Sequence, residues 1–304
     1  MAHPWEPEHP VDRALAARLI AAQFPAVALD RLERLGEGWD NDVWLADGVV
    51  FRFPRRRVAV PLLENEGRAL PLLAGQLPVR VPEPQYYGRP SAEFPCPFLG
   101  YRLLPGRPGD RVALTAVERA ALAAPLGRFL RALHAVDLAR FEAVGVPEDW
   151  FRADVPRYLK LLDERMAALA PRLSPELVER IGALRKTAAA LPPPVVQRRA
   201  LVHGDLYLRH LVFDDARRWT AVIDWGDVSV ADPLADLTVI YTGLSAAARP
   251  GFFDTYGRIE PVDALRARLI GLVRHGVSLL AYALDRGDGP LEAEARRAID
   301  HALD

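Results

Sequence analysis

Three side chains in the second half of the chain have the types and spacing to do chemistry together. The stretch LVHGDLYLRHLVFDD, residues 201–215, runs from an apolar pair into His203-Gly204-Asp205. It reaches His210 five residues after that aspartate and then enters a second apolar run. A little further on, AVIDWGD delivers Asp224 behind Ala221-Val222-Ile223. Asp205 falls in a loop before a short strand at 211–213, and the acidic turn Asp214-Asp215 returns the chain into a second strand at 220–223. Such a hairpin brings Asp205, His210 and Asp224 to one edge of a small sheet. Two carboxylates and an imidazole there can hold a divalent cation, or divide into a ligand set and a base. Mg²⁺ needs few protein ligands and takes the rest from water and phosphate oxygens. With one aspartate accepting a hydroxyl proton, this is the equipment of phosphoryl transfer.

The bulk properties leave room for such a site and exclude others. The 304 residues suffice for one large domain or two smaller ones, and half of them are hydrophobic. A net charge of -1 gives none of the basic excess that a nucleic-acid partner demands. The single cysteine, Cys96, rules out an internal disulfide and a cysteine-based metal centre, and fits a cytoplasmic setting. The N-terminus MAHPWEPEHP lacks the apolar core of a signal peptide. The long uncharged run at 237–248 falls short of the ~20 residues of a membrane helix, so no membrane partner is expected.

The elements that position these residues follow from periodicity. Residues 12–24 place Leu15, Leu19, Ile20 and Phe24 on one helical face, with Asp12 as cap. Two β-like runs, 42–46 and 49–53, flank the hairpin turn Asp47-Gly48. Residues 62–74 read as a helix interrupted by Pro71. A Pro- and Gly-rich stretch from 78 to 109 holds one strand, in FLGYRLLPG. Leu122, Leu126, Phe129, Leu130 and Leu133 define a helix begun or bent at Pro125, two more helices fill 155–190, and another spans 262–284. The first hundred residues are thus mixed and the rest mostly helical, with a seam near Leu104-Pro105-Gly106.

The order of these features resembles the aminoglycoside phosphotransferase family. His203-Gly204-Asp205 with a ligand five residues on resembles the kinase loop H-R-D-x-x-x-x-N, with Gly for Arg, and Ile223-Asp224-Trp225 resembles its D-F-G. The resemblance implies an α+β, two-lobed, protein-kinase-like fold. A small mixed β-sheet N-terminal lobe, residues 1–103, would bind nucleotide, and a mainly helical lobe, 104–304, would carry catalysis and the acceptor. GEGWDND, residues 36–42, looks like the nucleotide-covering loop, with Gly36, Gly38 and Asn41 against the donor. Arg52 stands where the phosphate-binding Lys would be, Glu66 looks like its helix partner, and Tyr101 to Leu103 matches the base-holding hinge. Asp205 is then the catalytic residue, His210 and Asp224 hold Mg²⁺, and ATP or GTP is the donor. The acceptor is a small-molecule hydroxyl, with an aminoglycoside or macrolide antibiotic leading. A monomer or weak dimer is expected.

Two positions depart from the family pattern. His210 replaces the usual Asn, most similar to the macrolide kinases, and imidazole suits hard Mg²⁺ less well. Arg52 replaces Lys with a broader fork. These departures motivate an alternative, a nucleotide-binding pseudokinase. A kinase of a metabolite such as a sugar or amino alcohol is a further reading, and a metal-dependent hydrolase would want more histidines at metal spacing. Blander roles fall to other residues: His203 organising its loop, His134 buried and structural, Asp227 as a loop acid or third metal contact, Asp236 bracing the catalytic loop, and Arg55-Arg56-Arg57 as a solvated strand end.

Overall fold

The computed structural model describes residues 7–38, 40–192 and 198–304, so Trp39 of the GEGWDND segment and the first six residues of the N-terminal stretch lie outside the described residues. Helix α1 (Arg13–Gln23) begins at Asp12, whose Oδ1 accepts from the Leu15 amide at 2.8 Å. It lies against a five-stranded sheet built from β1 (Glu33–Glu37), β2 (Asn41–Ala46), β3 (Val49–Pro54), β4 (Pro84–Gly88) and β5 (Phe98–Arg102). The order is β1-β2-β3-β5-β4 and every pairing is antiparallel. Asp47 and Gly48 turn β2 into β3 with φ of 50° and 70°, the left-handed pair that a two-residue hairpin requires. Leu19 and Ile20 of α1 pack with Trp44, Phe51, Phe53 and Phe98 to form a core of their own.

Helix α2 (Val60–Leu73) runs through Pro71 without ending. Proline here removes only the bond to the Gly67 carbonyl, and the Tyr87 hydroxyl donates to that oxygen instead, at 3.3 Å. Inserted between β3 and β4, α2 lies against the sheet at Gly67 and also packs into the helical half. Ala69, Leu70 and Leu73 join a core with Leu126, Phe129, Leu201 and Trp225, and Asn65 Nδ2 donates to the Val228 carbonyl. Strand β4 is an element the sequence reading omitted. Its ends are Pro84 and Gly88, residues that weaken a strand signal, and it survives as an edge paired only to β5.

The rest is mainly helical. After β6 (Arg107–Pro108) come α3 (Ala116–Ala120), α4 (Ala123–His134), α5 (Leu138–Ala143), α6 (Val155–Leu169) and α7 (Pro175–Ala189). Then follow β7 (Ala200–Val202), β8 (Leu211–Phe213), β9 (Trp219–Val222) and β10 (Ser229–Ala231), and the chain closes with α8 (Leu234–Gly243), α9 (Arg249–Tyr256), α10 (Pro261–Gly271), α11 (Leu279–Arg286) and α12 (Gly289–Leu303). Residues 272–278 join α10 to α11 as a π-helical stretch, making one continuous helix over Pro261–Arg286. That helix is long and apolar enough to cross a membrane, and most of its apolar stretch is buried inside the protein. Two small sheets hold the loops of interest: β6-β8-β9 and β7-β10.

Candidate active site

A cleft of about 600 Å³ opens between the five-stranded sheet and the helical half. Leu35, Gly36, Gly38, Asn41, Val43, Val50, Arg52, Glu66, Tyr101 and Leu103 line it from one side, and Asp205, His210 and Asp224 from the other. The hairpin that gathers the last three forms as its sequence demands. Leu211 pairs with Val222, and the Ile223 amide donates to the His210 carbonyl at 3.0 Å. His210 therefore leaves the first strand beside the point where Asp224 leaves the second.

His210 sits between both acids. Its Nδ1 lies 2.7 Å from the Asp205 carbonyl oxygen and its Nε2 lies 3.2 Å from Asp224 Oδ2. Burial works against its protonation, but the carboxylates of Asp224 and Asp205 outweigh burial and hold its pKa above the ordinary value. Asp224 adopts φ 66°, rare for a non-glycine residue, and keeps nearly half its side chain open to the cleft. Burial would raise its pKa, yet Arg52 and His210 hold the carboxyl well below its usual range.

Arg52, on β3, bridges two elements. Its Nη1 lies 2.7 Å from both Glu66 oxygens on α2, and its Nη2 lies 2.5 Å from Asp224 Oδ1. Burial disfavours the guanidinium charge, but the two carboxylates overcome it and hold the group firmly protonated. Two acids share this one cation, and burial pushes the Glu66 carboxyl up to about 7 against the pull of Arg52. Tyr101 is buried behind the pair, and burial raises its phenol. Leu103 lies at the cleft mouth, its own amide donating to the Gly48 carbonyl at 2.9 Å. Arg55 and Arg56 are not a solvated strand end. Arg55 is 5 % exposed and donates to the Gly38 carbonyl at 2.9 Å, and Arg56 bonds Asp40 at 2.6 Å in the cleft wall. Their long side chains fold back onto Gly38 and Asp40.

The loop carrying Asp205 is braced on every side. Buried Asp236, at the start of α8, accepts from the backbone amides of His203 and Gly204 at 2.8 and 2.9 Å. Its Oδ2 also lies 3.2 Å from His134 Nε2, whose Nδ1 is 2.9 Å from the Tyr256 hydroxyl. His203 accepts from the Asp205 amide through Nδ1, so its Nε2 carries the hydrogen donated to the Ile223 carbonyl at 3.1 Å, and burial keeps the ring neutral. Gly204 has φ 82°, and a Cβ there would stand 2.3 Å from the Asp227 carbonyl oxygen. Asp227 is paired with Arg152 at 2.6 Å, and Arg152 also donates to the Gly204 carbonyl at 2.9 Å. Sequence reasoning missed Arg152, together with Arg274 and His275, whose Nη2 and Nε2 lie 2.7 and 3.3 Å from Asp205 Oδ1. Burial would raise the Asp205 carboxyl, but the Arg274 guanidinium, the His275 hydrogen bond and His210 overcome it and hold it well below the usual range.

Among the described residues no group of three or more His, Cys, Asp and Glu side chains is arranged to hold a metal ion. The donor set is smaller: one open carboxylate, Asp224, beside one imidazole nitrogen. That fits a cation that takes most of its ligands from phosphate and water.

Two lobes around such a cleft, with an acid-bearing loop below and an ion-paired cation above, define a kinase-like phosphotransferase. The chain belongs to the phosphotransferase enzyme family, whose model matches residues 31–269. It is 30% identical over 240 residues to the viomycin phosphotransferase of Streptomyces vinaceus, covering 76% of this chain and 81% of that one. Among solved structures it is similar to the GDP complex of aminoglycoside 2'-phosphotransferase-IIIa, with 25% identity and a TM-score of 0.72 over 96% of this chain and 99% of that one. It is also similar to a macrolide 2'-phosphotransferase of Brachybacterium faecium, with 28% identity and a TM-score of 0.58 over 93% and 98%.

Proposed function

We propose that this enzyme moves the γ-phosphate of ATP or GTP to a hydroxyl of an aminoglycoside or macrolide antibiotic. The observation that carries the reading is the convergence of Asp205, His210, Asp224 and the Arg52–Glu66 pair on one cleft. The purine would lie between Val43 and Val50 above and Val212 and Ile223 below, with Tyr101 and Leu103 at the hinge end and Gly36, Gly38 and Asn41 over the phosphates. Arg52, oriented by Glu66, would meet the phosphates. Asp224 and His210 would hold Mg²⁺, which when bound neutralises phosphate charge. For that role His210 must release the proton its acidic neighbours favour.

Asp205 would accept the acceptor hydroxyl's proton as its oxygen bonds the γ-phosphorus. The bond from phosphorus to the bridging oxygen breaks, and the nucleoside diphosphate leaves with that electron pair. We further infer a cytoplasmic enzyme, monomeric or weakly dimeric, with residues 1–103 and 104–304 as its lobes. Relatives that act on viomycin, aminoglycosides and macrolides support an antibiotic acceptor. The test is transfer from γ-labelled ATP and GTP, with Mg²⁺, to aminoglycosides, macrolides, viomycin, sugars and amino alcohols. Transfer to an antibiotic class that disappears in Asp205→Asn supports the reading. Transfer only to sugars or amino alcohols overturns the acceptor, and equal transfer by Asp205→Asn overturns the role of Asp205.

A further inference from the structure

We propose that Arg274 and His275, neighbours on the π-helical stretch between α10 and α11, are the positioning residues that aim the Asp205 carboxylate at the acceptor hydroxyl. The inference rests on Asp205 as proton acceptor and adds a device that sets its orientation. Arg274 Nη2 lies 2.7 Å from Asp205 Oδ1, and its Nη1 donates to the Gly204 carbonyl at 2.6 Å. One guanidinium thus holds both the side chain and the backbone of the loop. His275 Nε2 reaches the same Oδ1 from 3.3 Å. Among the described residues its buried Nδ1 has no hydrogen-bond partner, so the ring's one hydrogen belongs on Nε2, where it is donated to the carboxylate. Tyr207, from the catalytic loop itself, stacks on His275 with centroids 4.8 Å apart and planes 16° off parallel.

The helix geometry explains how adjacent residues reach one atom. Side chains of neighbours on an α-helix diverge by about 100°. The wider i→i+5 winding reduces this to about 80° and re-aims the turn, and such turns concentrate at functional sites. Here the π-helical residues are Leu272–Ser278, and Arg274 and His275 sit at their centre. Leu272, Val273 and Val277 around them are fully buried, so the stretch is fixed in place by packing.

The consequence is an asymmetric carboxylate. Oδ1 is taken by two donors, while among the described residues Oδ2 has only the looser approach of His210 Nδ1 at 4.0 Å. Asp205 and Arg274 both line the cleft. With Oδ1 anchored, Oδ2 is the oxygen left to accept a hydrogen bond from an acceptor hydroxyl. Without the anchor the carboxylate can rotate about χ2, and a misplacement near 1 Å at a reacting group costs about 10²-fold.

The experiment measures kcat and the KM for nucleotide in Arg274→Ala, Arg274→Lys, His275→Phe, Asp205→Asn and the double variant Asp205→Asn/Arg274→Ala. The acceptor is whichever antibiotic the wild type phosphorylates, and labelled ATP makes residual rates measurable. Arg274→Ala is expected to lower kcat about 10²-fold while the nucleotide KM stays within about threefold. Lysine, which can still reach one oxygen, restores part of the loss, and His275→Phe, which keeps the stack on Tyr207 but cannot donate, costs about tenfold. In the Asp205→Asn background, removing Arg274 costs less than about threefold, because a device that acts through Asp205 has nothing left to aim. Multiplicative losses in the double variant, a change confined to KM, or an unaltered kcat would each overturn the proposal. If Arg274→Ala does not fold, Arg274→Lys and His275→Phe carry the same comparison. A wild type that phosphorylates nothing, or an Asp205→Asn variant that stays fully active, refutes the parent reading and this one with it. Asp205-dependent transfer that ignores Arg274 and His275 refutes this one alone.

Discussion

Replacing Asp236 with alanine removes one carboxylate and strands three partners. The amides of His203 and Gly204, bonded at 2.8 and 2.9 Å, lose their acceptor inside the protein, and His134 loses the oxygen at 3.2 Å. An unsatisfied buried donor costs about 1–3 kcal/mol, and breaking a buried charged contact from one side costs about 3–5 kcal/mol. Because the three losses share one carboxylate, a total of about 3–5 kcal/mol is expected, which lowers the melting temperature by ~5–8 °C in a chain of this size. Asp236→Asn keeps one carbonyl oxygen, can still serve one amide, and should fall about half as far. Both amides lie within two residues of Asp205, so kcat should fall at least about 10²-fold in the alanine variant even well below its melting temperature. The pH dependence has a definite sign. Burial raises the Asp236 pKa, but His134, His203 and the loop amide overcome it and hold it below the ordinary carboxylate value. A depressed carboxylate stabilises the fold above its unfolded pKa of about 3.9, and that stabilisation is lost as the pH falls further through the folded pKa. The gap in melting temperature between wild type and Asp236→Asn should therefore be constant near pH 6–7 and narrow below about pH 4. Calorimetry across that range with steady-state kinetics at pH 7 tests the argument. An alanine variant within about 1 °C and twofold of wild type would refute it.

Other perturbations follow from the same geometry. Gly204→Ala forces a Cβ to 2.3 Å from the Asp227 carbonyl at φ 82°, and should cost at least about 2 kcal/mol and most of kcat, read by melting and turnover. Arg52→Ala removes the partner of two carboxylates and should raise the nucleotide KM about tenfold or more, whereas Arg52→Lys, with one ammonium for two acids, should fall between. Competition binding of ADP separates that effect from chemistry. His210→Asn substitutes a hard oxygen for an imidazole, so half-saturation by Mg²⁺ should shift to lower concentration and any advantage of Mn²⁺ over Mg²⁺ should shrink, as seen in metal titrations of activity.

The hairpin at 201–224 was legible because its signals are local: alternating apolar runs, an acidic turn, and polar residues at both ends. The same holds for α1 with Asp12 as its cap, and for β2 and β3 about Asp47-Gly48. The sequence also placed Asp236 as a brace, from its position beside Asp232 and Pro233 at a helix start, and His134 and His203 as structural residues, since each follows an apolar run. What it concealed comes from distance and winding. Arg274 and His275 lie 69 and 70 residues from Asp205, inside an apolar helix whose α-period assigns them to different faces. Only the wider turn brings them to one atom. The signal that could have found them is a charged pair, Arg274-His275, enclosed by residues that all bury. Arg152 was hidden in the same way, in a short 3-10 turn that reads as exposed loop. Arg55 and Arg56 were misread because a run of three arginines signals solvent, while the carbonyl of Gly38 and the carboxylate of Asp40 were waiting across the strand.

One packing detail bears on how the cleft is held together. Helix α2 shares its apolar face with the helical half, and Asn65 fastens it to Val228, whereas β3 belongs to the separate core of the sheet. The helix also touches the sheet, where the Tyr87 hydroxyl of β4 donates to the Gly67 carbonyl, so α2 is the joint between the two cores. Arg52 reaches from the sheet across this joint to Glu66 on α2 and to Asp224 on the helical side. The pair proposed to arrange the phosphates is thereby also a polar clasp that ties the sheet to α2 and to the helical half at once.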